Sequence, residues 1–249
     1  MKPIEYKRMF VTEQTHWWYT GQRAIAFGLL DRARPAVPES ARFLDAGCGS
    51  GQNLIELAKR GGTAVGVDIA PEAIAYCKQR GVRVCRGDSQ RLPFPTETFD
   101  VVTSFDVLYH RWVQDDRAAA RELVRTLRAG GLLLVRLPAL RWLWGAHDAA
   151  VLSRHRYTRA ELVALLQDAG LEVLDSSYCN TLLLPLLTLR RTLDRWTGRQ
   201  GSDVGFLPAP FEWLFRSVLQ IEARLLRYIH FPVGASVIAL ARKPGDGAS

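Results

Sequence analysis

Residues 44–54 read LDAGCGSGQNL, with an acid, Asp45, followed by glycines at 47, 49 and 51. Alternating glycines behind an apolar run make a sharp turn whose backbone can approach a ligand with no Cβ in the way. Phosphates, dinucleotides and sulfonium cofactors all use such turns. A triphosphate loop needs a lysine and a Ser or Thr after its last glycine, where this chain has Gln52 and Asn53. The dinucleotide pattern G-x-G-x-x-G would put its third glycine at Gln52. An acid at Asp45 repels a pyrophosphate and attracts a ligand that carries a sulfonium and an ammonium. S-adenosylmethionine has both cations and no phosphate.

Two further acids fit the same ligand. Asp68 ends a second apolar run, TAVGVD, where a carboxylate can accept from both ribose hydroxyls, and Asp88 with Ser89 follows a third run, placed for an adenine edge. His110 lies just past a fourth run, at the end of the sheet where open α/β folds bind ligands, and is the best candidate for a general base. Packing beside Trp112 is its structural alternative. The lead segment HWWYTGQR either staples a helix to the sheet or caps the cleft. In the second case Tyr19 touches the cofactor, Arg23 pairs with its carboxylate, and His16 and Trp18 face the acceptor. RWLWGAHDAAVLSRHRYTRAEL adds His147, His155 and Tyr157 as acceptor-pocket candidates beside Arg156.

The elements that must position these residues alternate. Apolar runs begin at Phe43, Thr63, Val82, Phe99, Leu132, Leu171 and Ala235, and read as strands. Helical segments lie between most of them: Gln52 to Arg60, Pro71 to Arg80, Asp116 to Arg128 closed by Gly130 and Gly131, and a segment opened by Thr158 with Glu161 at capping-box spacing. Such alternation implies an α/β fold with a mostly parallel sheet and helices on both faces. Two regions stand outside it. One is the lead to about Pro38, helical around GQRAIAFGLLDRA; the other runs from Asn180 to Gly234 and holds TLLLPLLTLRRTLDRW, interrupted by Pro185, a polar linker GRQGSD and a second apolar helix.

FLDAGCGSG, VGVDIAPEAIAYC, GDSQRLPFPTETFDVVTSFDVLYH and LRAGGLLLVRLP, in this order and spacing, resemble the class I S-adenosylmethionine-dependent methyltransferases, in particular the type 11 small-molecule group. The resemblance covers Ala41 to Pro138, and HWWYTGQR resembles the lead of a subset of that group. It implies a Rossmann-like seven-stranded sheet with the last strand, ASVIALA, reversed. It also implies S-adenosylmethionine as cofactor, and cofactor contacts within the matching segments at Asp45, Gly47, Cys48, Gly49, Asn53, Asp68, Ile69, Gly87, Asp88, Ser89, Ser104, Phe105 and Asp106. One departure falls on the acceptor side, where Tyr109 precedes His110 and many relatives have an acid; both are taken as acceptor contacts. The expected layout is a helical cap over 1–38, a methyltransferase core over 39–179 and 235–245, and a helical insertion over 180–234. The expected activity is methyl transfer to a small-molecule acceptor, at oxygen, in natural-product or saccharide biosynthesis. Action at a membrane surface on a lipid-linked or apolar acceptor, and a non-catalytic cofactor-binding role, are the alternatives.

Bulk numbers narrow the partners. The 249 residues carry a formal net charge of +8, with arginine scattered throughout and no nucleic-acid-binding signature, so nucleic acid is not an expected partner. The insertion is expected to cover the pocket, contact a second copy in a homodimer, or lay its arginines on an anionic membrane. No apolar run reaches the ~18 residues of a membrane-spanning helix. The N-terminus lacks a signal-peptide core, and four cysteines in no metal-like spacing read as reduced thiols, which points to the cytoplasm. His147 and His155 lack carboxylates at ligand spacing, so no metal is expected.

Overall fold

Seven short runs rich in Val, Leu, Ile and Phe form one sheet in the computed structural model, which describes residues 1–33, 37–197 and 208–245. They are β1 (Arg42–Ala46), β2 (Thr63–Asp68), β3 (Val84–Arg86), β4 (Phe99–Phe105), β5 (Leu127–Pro138), β6 (Glu172–Cys179) and β7 (Ser236–Arg242). The order across the sheet is β3-β2-β1-β4-β5-β7-β6. The first five strands are parallel, and β7 runs antiparallel to both its neighbours, as the resemblance implies.

Because successive side chains point to opposite faces, the strands feed two cores. Leu44, Val102, Leu133 and Val135 look one way, onto α5 (Asp116–Thr126) and α7 (Arg159–Asp168). Phe43, Val101, Leu132 and Leu134 look the other way, onto α2 (Trp17–Arg32) and α9 (Ala209–Leu225). Ile25 and Leu29 of α2 meet Leu219 and Ala223 of α9 in that second core, which draws the distal helix onto the lead segment. α3 (Gln52–Ala58) and α4 (Pro71–Gln79) complete the crossovers, and the short α6 (Ala146–Ala150) lies between β5 and α7. α7 opens with the expected capping box: the Thr158 hydroxyl accepts the Glu161 N–H at 3.2 Å and the Glu161 carboxylate accepts the Thr158 N–H at 2.7 Å.

Three local expectations differ from the structure. α5 stops at Thr126, and Leu127 begins β5, because Glu97 and Thr98 donate to the Arg125 and Thr126 carbonyls while Gly130 and Gly131 pair with Lys243. The lead segment is two helices, since α1 (Pro3–Thr12) precedes α2. Pro185 does not break the distal helix. It sits in the first turn of α8 (Leu184–Thr197), where a missing N–H removes nothing. The linker GRQGSD lies outside the described residues.

α8 presents two unlike faces. Leu187 and Arg191 face inward to a cavity, with Arg190 exposed at its rim, while Leu186, Leu189, Leu193 and Trp196, spaced by three and four, are exposed, Trp196 at 85 %. Among the described residues no helix is long and apolar enough to cross a membrane.

Candidate active site

The carboxyl ends of β1, β2, β4 and β5 floor a cavity of about 370 Å³, roofed by α1, α2 and α8. At one end the glycine turn bends back. Gly47 has φ +83° and Gly49 φ +55°, backbone that disfavours any Cβ. A Cβ at Gly47 would overlap Val107, and one at Gly49 would lie 2.6 Å from Met9 Cε of α1. The Gly49 N–H donates to Asp68 Oδ2 at 3.0 Å and the Ala70 N–H to Asp68 Oδ1 at 2.9 Å, so one carboxylate ties the turn to the start of α4. Burial holds the Asp68 carboxyl above its ordinary range against these hydrogen bonds. The Tyr6 hydroxyl of α1 also donates to it.

α1 is fastened over this end by buried charge. Glu13 pairs with Arg80 of the α4 end at 2.8 Å and accepts from the Ser50 hydroxyl, while the Arg80 guanidinium lies 4.6 Å from the centre of the Phe10 ring. Arg23 donates to the Glu13 carbonyl and lines the cavity beside Tyr19.

The other end carries aromatic and cationic groups: Trp18, Phe105, Tyr109 and His110 with Arg136 and Arg156. Arg136 pairs with Asp106, and Arg156 grips Asp148 in a bidentate pair of 2.8 and 3.0 Å while donating to the Ala139 carbonyl at 2.7 Å. His110 Nδ1 accepts the Trp112 N–H at 3.2 Å, and Nε2 lies 2.6 Å from the Met1 amino nitrogen. Burial, with the Met1 amino charge adding, lowers the ring's pKa to about 4, so it is neutral at neutral pH. Both ring nitrogens have partners in the structure, Nδ1 the Trp112 N–H and Nε2 the Met1 amino group.

Of the expected cofactor contacts, Gly47, Cys48, Gly49, Asn53, Asp68, Ile69, Gly87, Asp88, Ser89, Phe105, Asp106, Tyr19 and Arg23 line this cavity. So do the expected acceptor contacts His16, Trp18, Tyr109, His110 and His147. Four residues do not. Asp45 is buried beneath the turn, where the Thr103 hydroxyl donates to it at 2.7 Å and Asn53 also bonds it. Burial pushes its carboxyl up to about 6. Ser104 is buried within β4. Tyr157 donates outside the cavity to Asp116 at 2.5 Å, and His155 stacks edge-on against it beside Glu161. The sequence reading missed Glu13, Arg136, Asp148 and the α8 arginines. Only Arg136 left a signal, a lone charge inside the apolar run LLLVRLP. Among the described residues no three His, Cys, Asp or Glu side chains converge as a metal site.

Residues 44–135 match the family model described as a methyltransferase domain. A probable S-adenosylmethionine-dependent methyltransferase of Mycolicibacterium smegmatis is 34 % identical over 137 residues, 53 % of this chain and 52 % of that protein. The chain carries a class I S-adenosylmethionine-dependent methyltransferase domain of the type 11 group. A fatty-acid O-methyltransferase of the same organism is 33 % identical over 156 residues, covering 59 % of this chain and 50 % of that protein. The chain thus spans about half the length of these curated relatives. A solved chain from the complex between the Haloferax volcanii Trm112 methyltransferase activator and a methyltransferase shares the fold, with TM-score 0.64, 21 % identity and coverage of 99 % of this chain and 96 % of that one.

S-adenosylmethionine is the cofactor of this methyltransferase domain. The residues present fit it: the turn is open where Cβ atoms would intrude, and Asp68 and Asp88 line the cavity close to it.

Proposed function

We propose that the protein transfers a methyl group from S-adenosylmethionine to the oxygen of a small-molecule acceptor, leaving S-adenosylhomocysteine. The observation that carries this reading is continuity: the glycine-and-acid end opens into the aromatic and cationic end within one cavity. A non-catalytic binding role would suit a closed acceptor end. The similarity to a fatty-acid O-methyltransferase supports oxygen as the accepting atom.

When bound, the cofactor supplies an electrophilic methyl on a positively charged sulfur. The chain's own residues supply position and a dry environment, which is most of what an in-line displacement needs. Asp68 accepts from the ribose hydroxyls, Asp88 and Ser89 meet the adenine, and Arg23 meets the methionyl carboxylate. α1 excludes water, held by the Glu13–Arg80 pair. His110, neutral at neutral pH, hydrogen-bonds the acceptor oxygen and takes its proton as the methyl arrives. Thermal-shift screening of acceptors with S-adenosylhomocysteine present, followed by transfer of a labelled methyl to each hit, tests the reading. An acceptor that stabilises the complex yet never gains the label would count against it.

Exposed leucines and Trp196 on α8 favour a second reading, action at a membrane surface, because such a face with flanking arginines suits anionic headgroups. Sedimentation with anionic vesicles at low salt separates the two. Protein left wholly in the supernatant removes the membrane reading alone.

A further inference from the structure

One carboxylate oxygen in the cavity is left to accept a hydrogen bond. Asp106 directly follows β4 and lines the cavity between Phe105 and Tyr109. Its Oδ2 pairs with the Arg136 guanidinium, and its N–H donates to the Arg136 carbonyl at 2.8 Å. Among the described residues nothing donates to Oδ1. Exposure within the pair falls on the acid: 37 % of the Asp106 side chain is open, against 11 % of Arg136.

The fold holds this group still. Asp106 has φ +58°, a left-handed backbone that side chains disfavour, and such strain beside a cleft marks a constrained position. The Arg136 guanidinium lies 5.3 Å from the centre of the Phe105 ring, so the partner of the acid is itself fixed. The next residue, Val107, fills the space a Cβ at Gly47 would need. Asp106 therefore stands where the glycine turn meets the acceptor end. An ion-paired carboxylate is a weak base and a strong hydrogen-bond acceptor. It only accepts, so the group that meets Oδ1 must carry a proton, as a hydroxyl does and an ether, carboxylate or phosphate does not. The hydroxyl that is methylated gives its single proton to His110, so the donor at Asp106 is a second one. Both side chains come from residues 106–110 and line one cavity, which makes the two hydroxyls neighbours on the acceptor.

We propose that Asp106 reads a hydroxyl adjacent to the one that is methylated, on a vicinal dihydroxy acceptor whose flat apolar body lies against Trp18, Phe105 and Tyr109. This rests on the methyltransferase reading and specifies its substrate class. Asp106 is the specificity residue.

The experiment is calorimetry on the full chain saturated with S-adenosylhomocysteine, titrating a naphthalenediol with adjacent hydroxyls, its monomethyl ether and the matching naphthol. The diol should bind at least about 10-fold tighter than either of the others, the worth of one hydrogen bond to a charged acceptor. The ether keeps the second oxygen and loses only its proton, so it separates donation from size. Asp106→Asn then inverts the site. Asparagine tolerates the left-handed backbone, and its one acceptor must turn to Arg136, which can only donate, so an NH2 faces the cavity. The lead of the diol over the ether should fall below about threefold, while S-adenosylhomocysteine stays within about threefold of wild type. A merely structural role would instead weaken all three probes alike and leave the lead intact. The wild-type comparison needs no variant, so it still decides if Asp106→Asn fails to fold. Three probes bound within about threefold of one another, none bound, or a lead that survives in Asp106→Asn would each overturn the proposal. An S-adenosylhomocysteine affinity about 10-fold weaker in Asp106→Asn would overturn it as well, by giving the acid to the cofactor's ammonium. Failure of S-adenosylhomocysteine to bind the wild-type chain would remove the methyltransferase reading itself.

Discussion

Asp68→Asn separates the two duties of one carboxylate. In the structure its oxygens accept the Gly49 and Ala70 N–H groups at 3.0 and 2.9 Å. Asparagine keeps one acceptor and turns an NH2 toward the other donor, which forfeits a hydrogen bond at a cost of about 1–3 kcal/mol. An opposing effect offsets part of that loss. Burial holds the Asp68 carboxyl above its ordinary value of 3.8, so the folded protein binds this proton more tightly than the unfolded chain. The group's contribution to stability is therefore largest at low pH and declines as pH rises from 3.8 through the raised value. Asparagine removes that decline, and the net change in folding at neutral pH should stay below about 2 kcal/mol. Cofactor binding has no such offset. Losing one charge-assisted acceptor for the ribose costs about 1.5–3 kcal/mol, or roughly 10- to 100-fold in affinity for S-adenosylhomocysteine. Calorimetry at neutral pH, paired with urea denaturation of both proteins, measures the two effects apart. The reasoning is wrong if affinity stays within about threefold of wild type, or if the variant unfolds outright.

Other substitutions probe the turn, the lid and the acceptor end. Gly47→Ala should cost about 2–5 kcal/mol, combining left-handed backbone with overlap on Val107, and Val107→Ala should return only the overlap share in a double-mutant cycle of denaturation curves. Glu13→Ala strands Arg80 and should destabilise by about 3 kcal/mol or more, with α1 becoming the first segment cut in limited proteolysis. His110 stays neutral above about pH 4, so once an acceptor is found any inflection of its methylation rate between about pH 5 and 8 should persist unchanged in a His110→Gln variant. His110→Ala and His110→Gln should both slow that transfer by about 100-fold, because neither replacement can take the acceptor's proton.

The sheet was legible because the evidence for it is local. Apolar runs, capping pairs such as Thr158 with Glu161, and glycines that only a turn requires all announce themselves within ten residues. The cofactor end was legible for the same reason: its residues sit at strand ends, and strand ends can be read. The charged part of the acceptor end was not, because distant segments build it. Arg191 reaches Gly145, and lines the same cavity as Arg156, only once α8 folds back across the sheet, and no spacing along the chain encodes that meeting. Two expected contacts, Asp45 and Tyr157, lie outside the cavity lining. An acid beside a glycine turn reads as a ligand contact whether it faces the cleft or, as here, the Thr103 hydroxyl beneath it. Tyr157 reads as a pocket aromatic until its bond to Asp116 shows it facing α5.

Asp45 leaves the cavity, yet the donor argument survives, since Asp68, Asp88 and Glu13 keep the cofactor end acidic. The most direct test titrates the wild-type chain with S-adenosylhomocysteine, NAD and ATP under identical conditions. Saturable one-to-one binding of S-adenosylhomocysteine, with no competition from either phosphorylated nucleotide, is the predicted result. Displacement of S-adenosylhomocysteine by NAD or ATP, or no binding of it at all, would contradict a cavity shaped for a sulfonium donor.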